Sequence, residues 1–362
     1  MRRGSRAPFR RRKVGLAGWG AFILLLGTIA GCGGGGPSSG TTGSGGGEQG
    51  GVTLVVGAYS VAKDALQEIM PLFREQWKAK TGQDVRFQES YEASGTQARS
   101  IAGGFEADVA VLSMEGDMDK VANAGFMRAN WKDDSDNGGM ITRSIVVMGT
   151  RPGNPLGISD FDDLTRDDVK VLYPNPKTSG GAQWDINALY GYGLKKSEEE
   201  TGAKDPAYAK RFLEDVHRNI ESMDKSGRAS MAAFEYGVGD VIVTYENELL
   251  ARMAQGVDYD IVTPSRTILI ENPAAVVDVN ADRHGVREVA DAFVAFLHGE
   301  QAQQIFAEHG FRPVHEETAA NWKDEFRQPD DLFDIGYLGG WDEVRETLYS
   351  SRGVWYQVLA GI

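Results

Sequence analysis

The sequence predicts an α/β fold of two lobes with a ligand cleft between them. Three observations carry this. From Val52 onward, apolar strand-like runs alternate with amphipathic helical stretches. Roughly three hundred residues follow Val52, enough for two units of ordinary domain size. The run Ala274 to Asp278 and the helical stripe after it return the chain to its first series of elements, so the chain crosses between lobes twice.

The elements follow in order. Val52 to Ala58 reads as a buried strand, and Leu66, Ile69, Met70, Phe73 and Trp77 recur at three-and-four spacing along a helix closed by Thr81-Gly82. Asp84 to Gln88 is a strand, Gly95 to Ala102 a helix, Ala107 to Leu112 a strand and Asp117 to Asn123 a helix. Such alternation implies a parallel sheet covered on both faces. After the strand Ser144 to Thr150, a second series starts at Lys170 to Tyr173. It has helices at 181–193, 205–219, 229–236 and 246–255 and strands at 241–245 and 260–263. Val286, Val289, Ala290, Phe293 and Leu297 mark a helix of the first lobe. Two crossings make a hinge, whose natural ligand site is the cleft.

The start of the chain sets the compartment. Arg2, Arg3, Arg6, Arg10, Arg11, Arg12 and Lys13 precede an apolar run, Val14 to Ala30, ending in small residues, the pattern of an export signal. At roughly seventeen residues the run is short for a spanning helix. It stops at Ile29-Ala30-Gly31-Cys32, a spacing that resembles the bacterial lipobox, in which the cysteine thiol is lipidated. An uncleaved signal anchor is the alternative. Residues 33–51, GGGGPSSGTTGSGGGEQGG, read as a flexible tether. The expectation is an exported protein, lipid-anchored to the cell membrane and facing the periplasm or the exterior.

Cys32 is the only cysteine, so neither an intramolecular disulfide nor a cysteine metal cluster can form. The formal net charge of −14 argues against nucleic acid. An anion ligand must then be held by local donors rather than by net charge. His217, His284, His298, His309 and His315 are scattered without metal spacing, and no nucleophile elbow, P-loop or dinucleotide fingerprint is present. Gly-Tyr-Gly at 191–193 and Gly-Val-Gly at 237–239 read as helix ends. Catalysis, cofactors and metals are therefore not expected.

Four strand-to-helix junctions place small or hydroxyl residues where a helix opens: Tyr59-Ser60-Val61, Ala93-Ser94-Gly95-Thr96, Thr178-Ser179-Gly180-Gly181 and Ser226-Gly227-Arg228. At the carboxyl edge of a parallel sheet they face the cleft. First-turn amides are unpaired and carry partial positive charge, which suits an anion. Taken singly, each junction reads as an N-cap before it reads as a site, and Ser94 with Gln97 reads as a capping box.

The segments YPNPKTSGGAQWDINALYGYGL at 173–194, SGR at 226–228 and GDVIVTYENE at 239–248 resemble the bacterial sulfate-binding proteins of ABC importers. So do Tyr59-Ser60, the FREQWKAKTGQDV stretch from Phe73, Ser94-Gly95-Thr96-Gln97, the EADVAVLS strand, Asp260 to Ser265 and Gly339-Gly340-Trp341. The resemblance implies a class II periplasmic-binding-protein fold that buries sulfate among neutral donors. By that likeness Ser94 gives hydroxyl and amide, and Ser60, Gly180, Gly181 and Gly227 give amides. Gly95 and Arg228 stand behind them, Arg228 pairing across the hinge or facing solvent.

The family's aspartate is Ser60 here and its tryptophan donor is Tyr245, two groups that can accept as well as donate. Thiosulfate, phosphate or another tetrahedral oxyanion is the alternative ligand, and a surface scaffold without transport the alternative role. The resemblance further implies a separate permease and ATPase as partners. A monomer is expected. The expected division is a signal at 1–31, a tether at 32–51, a first lobe of 52–146 with 271–315, a second lobe of 147–270 and a closing segment at 316–362.

Overall fold

The structure, a computed structural model, describes residues 51–135 and 137–361. The export signal, Cys32 and nearly all of the tether lie outside the described residues. Strand β1 (Val52–Tyr59) runs through a 3₁₀ turn (Ser60–Ala62) into α1 (Lys63–Thr81), which buries Ala65, Leu66, Ile69, Met70, Phe73 and Trp77 as its spacing predicts. Each such large side chain, fully buried, contributes roughly 1.5–3 kcal/mol. Gly82, at φ 76°, takes the left-handed conformation that ends α1.

Strand β2 (Val85–Glu92), helix α2 (Ser94–Ala102), strand β3 (Val109–Val111) and helix α3 (Glu115–Asn123) complete the first series. β1 pairs in parallel with both β2 and β3. Strand β4 (Met140–Thr150) then carries the chain across.

The second series is β5 (Val171–Leu172), α4 (Gly180–Thr201), α5 (Pro206–His217), β6 (Ile220–Ser222), α6 (Gly227–Glu235), β7 (Val241–Tyr245), α7 (Glu246–Ala254) and β8 (Asp260–Val262). β5 pairs in parallel with β6 and β7. Strand β9 (Arg266–Val276) carries the chain back, followed by α8 (Asp278–His284), α9 (Arg287–His298), α10 (Glu300–Glu308), β10 (Arg312–Pro313), α11 (Glu316–Trp322), β11 (Asp331–Phe333), α12 (Gly340–Thr347) and α13 (Val354–Ala360).

The crossings are two long antiparallel partners. β4 pairs with β9 from Met140 to Ile145, with β7 from Val146 to Thr150 and with β8 from Met148 to Thr150. β9 pairs in turn with β11, β4 and β3. One apolar core gathers Leu54, Leu66, Phe73, Phe293 and Phe306; another gathers Phe161, Trp184, Leu213, Val243 and Ile268. Trp341, Val344, Leu348, Trp355 and Val358 from the end of the chain join the second core. Trp341 packs edge-on against Trp184, ring centroids 4.8 Å apart.

Three sequence readings need correction. Ala274 to Asp278 is only the end of a strand that starts at Arg266, and Asp278 opens α8; the strand accommodates Pro273 beside an irregularity in the β4–β9 register. Gly191 and Gly193 lie inside α4 rather than ending it. A Cβ on Gly191 would come within 2.4 Å of Phe333, and one on Gly193 within 2.8 Å of the Ala209 backbone, so these glycines admit β11 and α5 to the helix. The capping box at Ser94 does not form: Ala93 is the N-cap of α2, and Gln97 Oε1 accepts from Ser90 instead.

Candidate ligand-binding site

The carboxyl ends of β1, β3, β5 and β7 open onto one small cavity. Tyr59, Ser60, Ala93, Ser94 and Ser113 line it from the first lobe; Ser179, Gly181, Asp185, Gly227, Thr244, Tyr245 and Glu248 line it from the second. All four junctions singled out in the sequence reach it. A fifth helix start joins them, because Tyr245 both ends β7 and is the N-cap of α7. The lining residues include no lysine, arginine or histidine.

Ser60 leads the 3₁₀ turn before α1 and is half-buried. Ser94, at the first position of α2, donates its hydroxyl hydrogen to Asp117 Oδ2 at 2.6 Å and accepts the Ser113 amide at 2.9 Å. That hydrogen is committed within the protein, so the donor Ser94 has left for the cavity is its amide. Ser179 and Ser226 are N-caps whose hydroxyls accept the amides of Ala182 and Ala229. Gly181 and Gly227 follow and line the cavity. Gly180 does not: a Cβ there would lie 2.3 Å from Ser113 Oγ and 2.6 Å from Asp117 Oδ2. The absent side chain at 180 is what lets α4 seat against the first lobe.

Tyr245 is 3% exposed, and its hydroxyl has no hydrogen-bond partner among the described residues; Ser113 and Asn272 are its polar neighbours, but neither meets hydrogen-bonding geometry. Burial, with Tyr59 and Asp185 nearby, pushes this phenol up, so it stays protonated and able to donate. The Tyr59 hydroxyl and Ser113 Oγ are likewise buried and unpartnered.

Sequence reasoning named Tyr59 only as part of its junction, and missed Ser113, Thr244 and two carboxyl groups, Asp185 and Glu248. The signal for the last two was spacing: Asp185 is four residues from Gly181 on α4, and Glu248 three from Tyr245 on α7. Burial raises Asp185 well above the usual carboxylate range, with Glu248 adding to the effect. Glu248 is raised by burial too, against the pull of Arg228.

Arg228 stays out of the cavity. Its Nη1 pairs with Asp64 of α1 at 3.1 Å and its Nη2 lies 3.6 Å from Glu248, so it ties the second lobe to the first. Other contacts join the lobes: Trp184 Nε1 donates to the Ser113 carbonyl at 2.8 Å, Arg99 Nη1 to the Lys177 carbonyl at 3.2 Å, and a Cβ on Gly95 would meet the Thr178 carbonyl at 3.0 Å. The lobes are closed over the cavity.

Two α/β lobes joined by two crossing strands, with a cavity between them lined by helix starts, define the binding-protein class of the periplasmic type. Residues 54–312 match the family described as bacterial extracellular solute-binding protein, and the chain belongs to that family, one of binding proteins rather than enzymes. It is 40% identical to the sulfate-binding protein of Synechococcus elongatus, over 92% of this chain and 93% of that one. It is 33% identical to the thiosulfate-binding protein of Pseudomonas aeruginosa, over 84% and 91%. Among solved structures it is similar to the sulfate-binding protein SubI from Mycobacterium tuberculosis, with a TM-score of 0.74 and 32% identity over 83% of this chain and all of that one. Among the described residues no His, Cys, Asp or Glu group could hold a metal ion, and no helix is long and apolar enough to cross a membrane.

Proposed function

We propose that the chain is the binding component of an ABC importer and that it carries sulfate. The observation that supports this most is the convergence of five helix starts on a cavity whose lining includes no cationic side chain. First-turn amides and neutral hydroxyls can replace the hydration shell of a fully ionised oxyanion without a countercharge. In this reading Ser60, Ser94, Gly181 and Gly227 offer amides and Tyr245 its hydroxyl; Gly180 seats α4, Gly95 lets the lobes approach, and Arg228 latches them. The names of the relatives point the same way, with thiosulfate the nearest alternative.

The lobes divide within the crossing strands, with 52–146 and 271–315 on one side, 147–270 on the other, and 316–362 packed upon them. Closure about the crossings would present a two-lobe docking face to a permease driven by a separate ATPase. Cys32 is the site of a lipid anchor that holds the protein at the outer face of the cell membrane. Cys32→Ser should release the protein into the soluble fraction, and mass spectrometry of the wild type should find the added acyl mass; an unmodified Cys32 would remove the anchor from this account.

The test of ligand identity is calorimetric titration of the purified full chain, dialysed free of anions, with sulfate, thiosulfate and phosphate at neutral pH. One-to-one binding of sulfate in preference to phosphate is expected. A well-folded protein that binds none of the three would favour a surface scaffold without transport.

A further inference from the structure

Asp185 points beyond the amides. It stands one turn along α4 from Gly181 on the same helix face, since side chains four residues apart lie one above the other. It lines the cavity, is 1% exposed, and neither of its carboxyl oxygens has a hydrogen-bond partner among the described residues. The groups that face it are Glu248 from α7, Tyr245 from the end of β7, Tyr173 just after β5 and Tyr349 from the turn between α12 and α13, with Tyr59 of β1 beyond Tyr245. None is a cation.

The two cavity carboxyl groups differ in one respect. Glu248 has Arg228 at 3.6 Å, a counter-charge shared with Asp64, whereas Asp185 has no salt bridge among the described residues. An ionised carboxylate held dry without partner or counter-ion is strongly disfavoured. A dianion placed in the same cavity would add like-charge repulsion. A protonated carboxyl meets neither penalty and gains an O–H donor.

We propose that Asp185 is a specificity-determining residue of this cavity, present in the complex as the neutral carboxylic acid and donating its O–H to the bound dianion. The proposal rests on the oxyanion reading above. Burial of Asp185 and the nearby Glu248 both act in its favour. A bound dianion holds the proton on Asp185 more firmly than the empty cavity does. Affinity is therefore flat below the free-state pKa of Asp185, and above it falls by up to about tenfold per pH unit. An ionised Asp185 would do the opposite: it would accept a hydrogen bond from hydrogen phosphate and repel sulfate.

The test uses the full chain with sulfate and inorganic phosphate as probes. Infrared spectra at pH 8, where exposed carboxyl groups are ionised, should show a carboxylic-acid carbonyl stretch in the sulfate-saturated wild type. The band should vanish in Asp185→Asn and persist in Glu248→Gln. Calorimetry should find Asp185→Asn within about fivefold of wild type for sulfate at neutral pH, because the amide keeps a donor. Where wild-type affinity falls at alkaline pH, the variant should stay flat. A wild-type spectrum without the band, or a band untouched by Asp185→Asn, overturns the proposal. So does an Asp185→Asn protein that gains sulfate affinity and loses phosphate binding. If no variant binds sulfate at any pH, the oxyanion reading fails and the donor role with it; the band in the ligand-free protein then decides the protonation of Asp185 on its own.

Discussion

Ser94 and Asp117 are joined by a 2.6 Å hydrogen bond in which the serine hydroxyl donates to a carboxylate oxygen buried behind the ligand cavity. The same hydroxyl accepts the Ser113 amide, and Lys120 pairs with the other oxygen of Asp117 at 2.6 Å. The start of α2 is thereby fixed to the end of β3 and to α3.

This arrangement separates two roles of one residue. Ser94→Ala should lower stability by about 1–3 kcal/mol, through the bonds left unmade at Asp117 and the Ser113 amide, and sulfate affinity by less than about tenfold. Ser94→Pro should cost at least about tenfold more affinity than Ser94→Ala while leaving α2 intact. Proline suits the first helical position and removes only an amide that the helix does not use, and Ala93 is already extended as a residue before proline must be. Circular dichroism with calorimetry checks both.

Tyr245 brings to the cavity a buried hydroxyl that can both donate and accept, which bears directly on selectivity. Tyr245→Phe deletes a buried hydroxyl without partners, so the melting temperature should hold or rise. Sulfate affinity should fall by about tenfold to a hundredfold, the loss of one hydrogen bond to a charged group worth roughly 1.5–3 kcal/mol. Tyr245→Trp installs a donor that cannot accept and should widen the preference for sulfate over phosphate. Competition titrations measure it.

The Arg228 latch predicts an effect on rates. The Asp64 side chain is about one-third exposed, so the pair contributes at most about 1 kcal/mol, and Asp64→Asn should change affinity less than about fivefold. Stopped-flow fluorescence should show faster ligand release. Arg228→Met should cost more than Asp64→Asn, because it also leaves buried Glu248 without its cation.

Stability should respond to pH at Asp185 with a defined sign. Its folded pKa lies above the unfolded value, so the folded state binds the proton more tightly and is destabilised as pH rises from the unfolded pKa toward the folded one. Asp185→Asn, neutral in both states, should therefore raise the melting temperature at pH 7 to 8 and change it little near pH 4, close to the ordinary aspartate pKa of about 3.9. Scanning calorimetry across that range checks the sign.

Much of this was legible in the chain. The stripe from Leu66 to Trp77, the cap at Gly82 and the junction residues Ser60, Ser94, Gly181 and Gly227 announce themselves through spacing and turn chemistry, which are local properties. What was hidden depends on distant partners. Nothing near Ser94 indicates that its hydroxyl turns to Asp117 rather than to its own helix. Gly191 and Gly193 look like stops until Phe333 and Ala209 are seen packed against them. Asp185 stands between Gln183 and Asn187 with nothing local to mark it, and only the packed lobes show that it lines the cavity unpartnered.

The most direct test of the central claim is a crystal structure of the chain with selenate, a tetrahedral dianion whose selenium can be located by anomalous scattering. The account expects a single selenium peak between β1, α2, α4, α6 and Tyr245, its oxygens within about 2.7–3.2 Å of the amides of Ser60, Ser94, Gly181 and Gly227. A peak elsewhere on the molecule, or an anion held in this cavity by a lysine or arginine side chain, would contradict it.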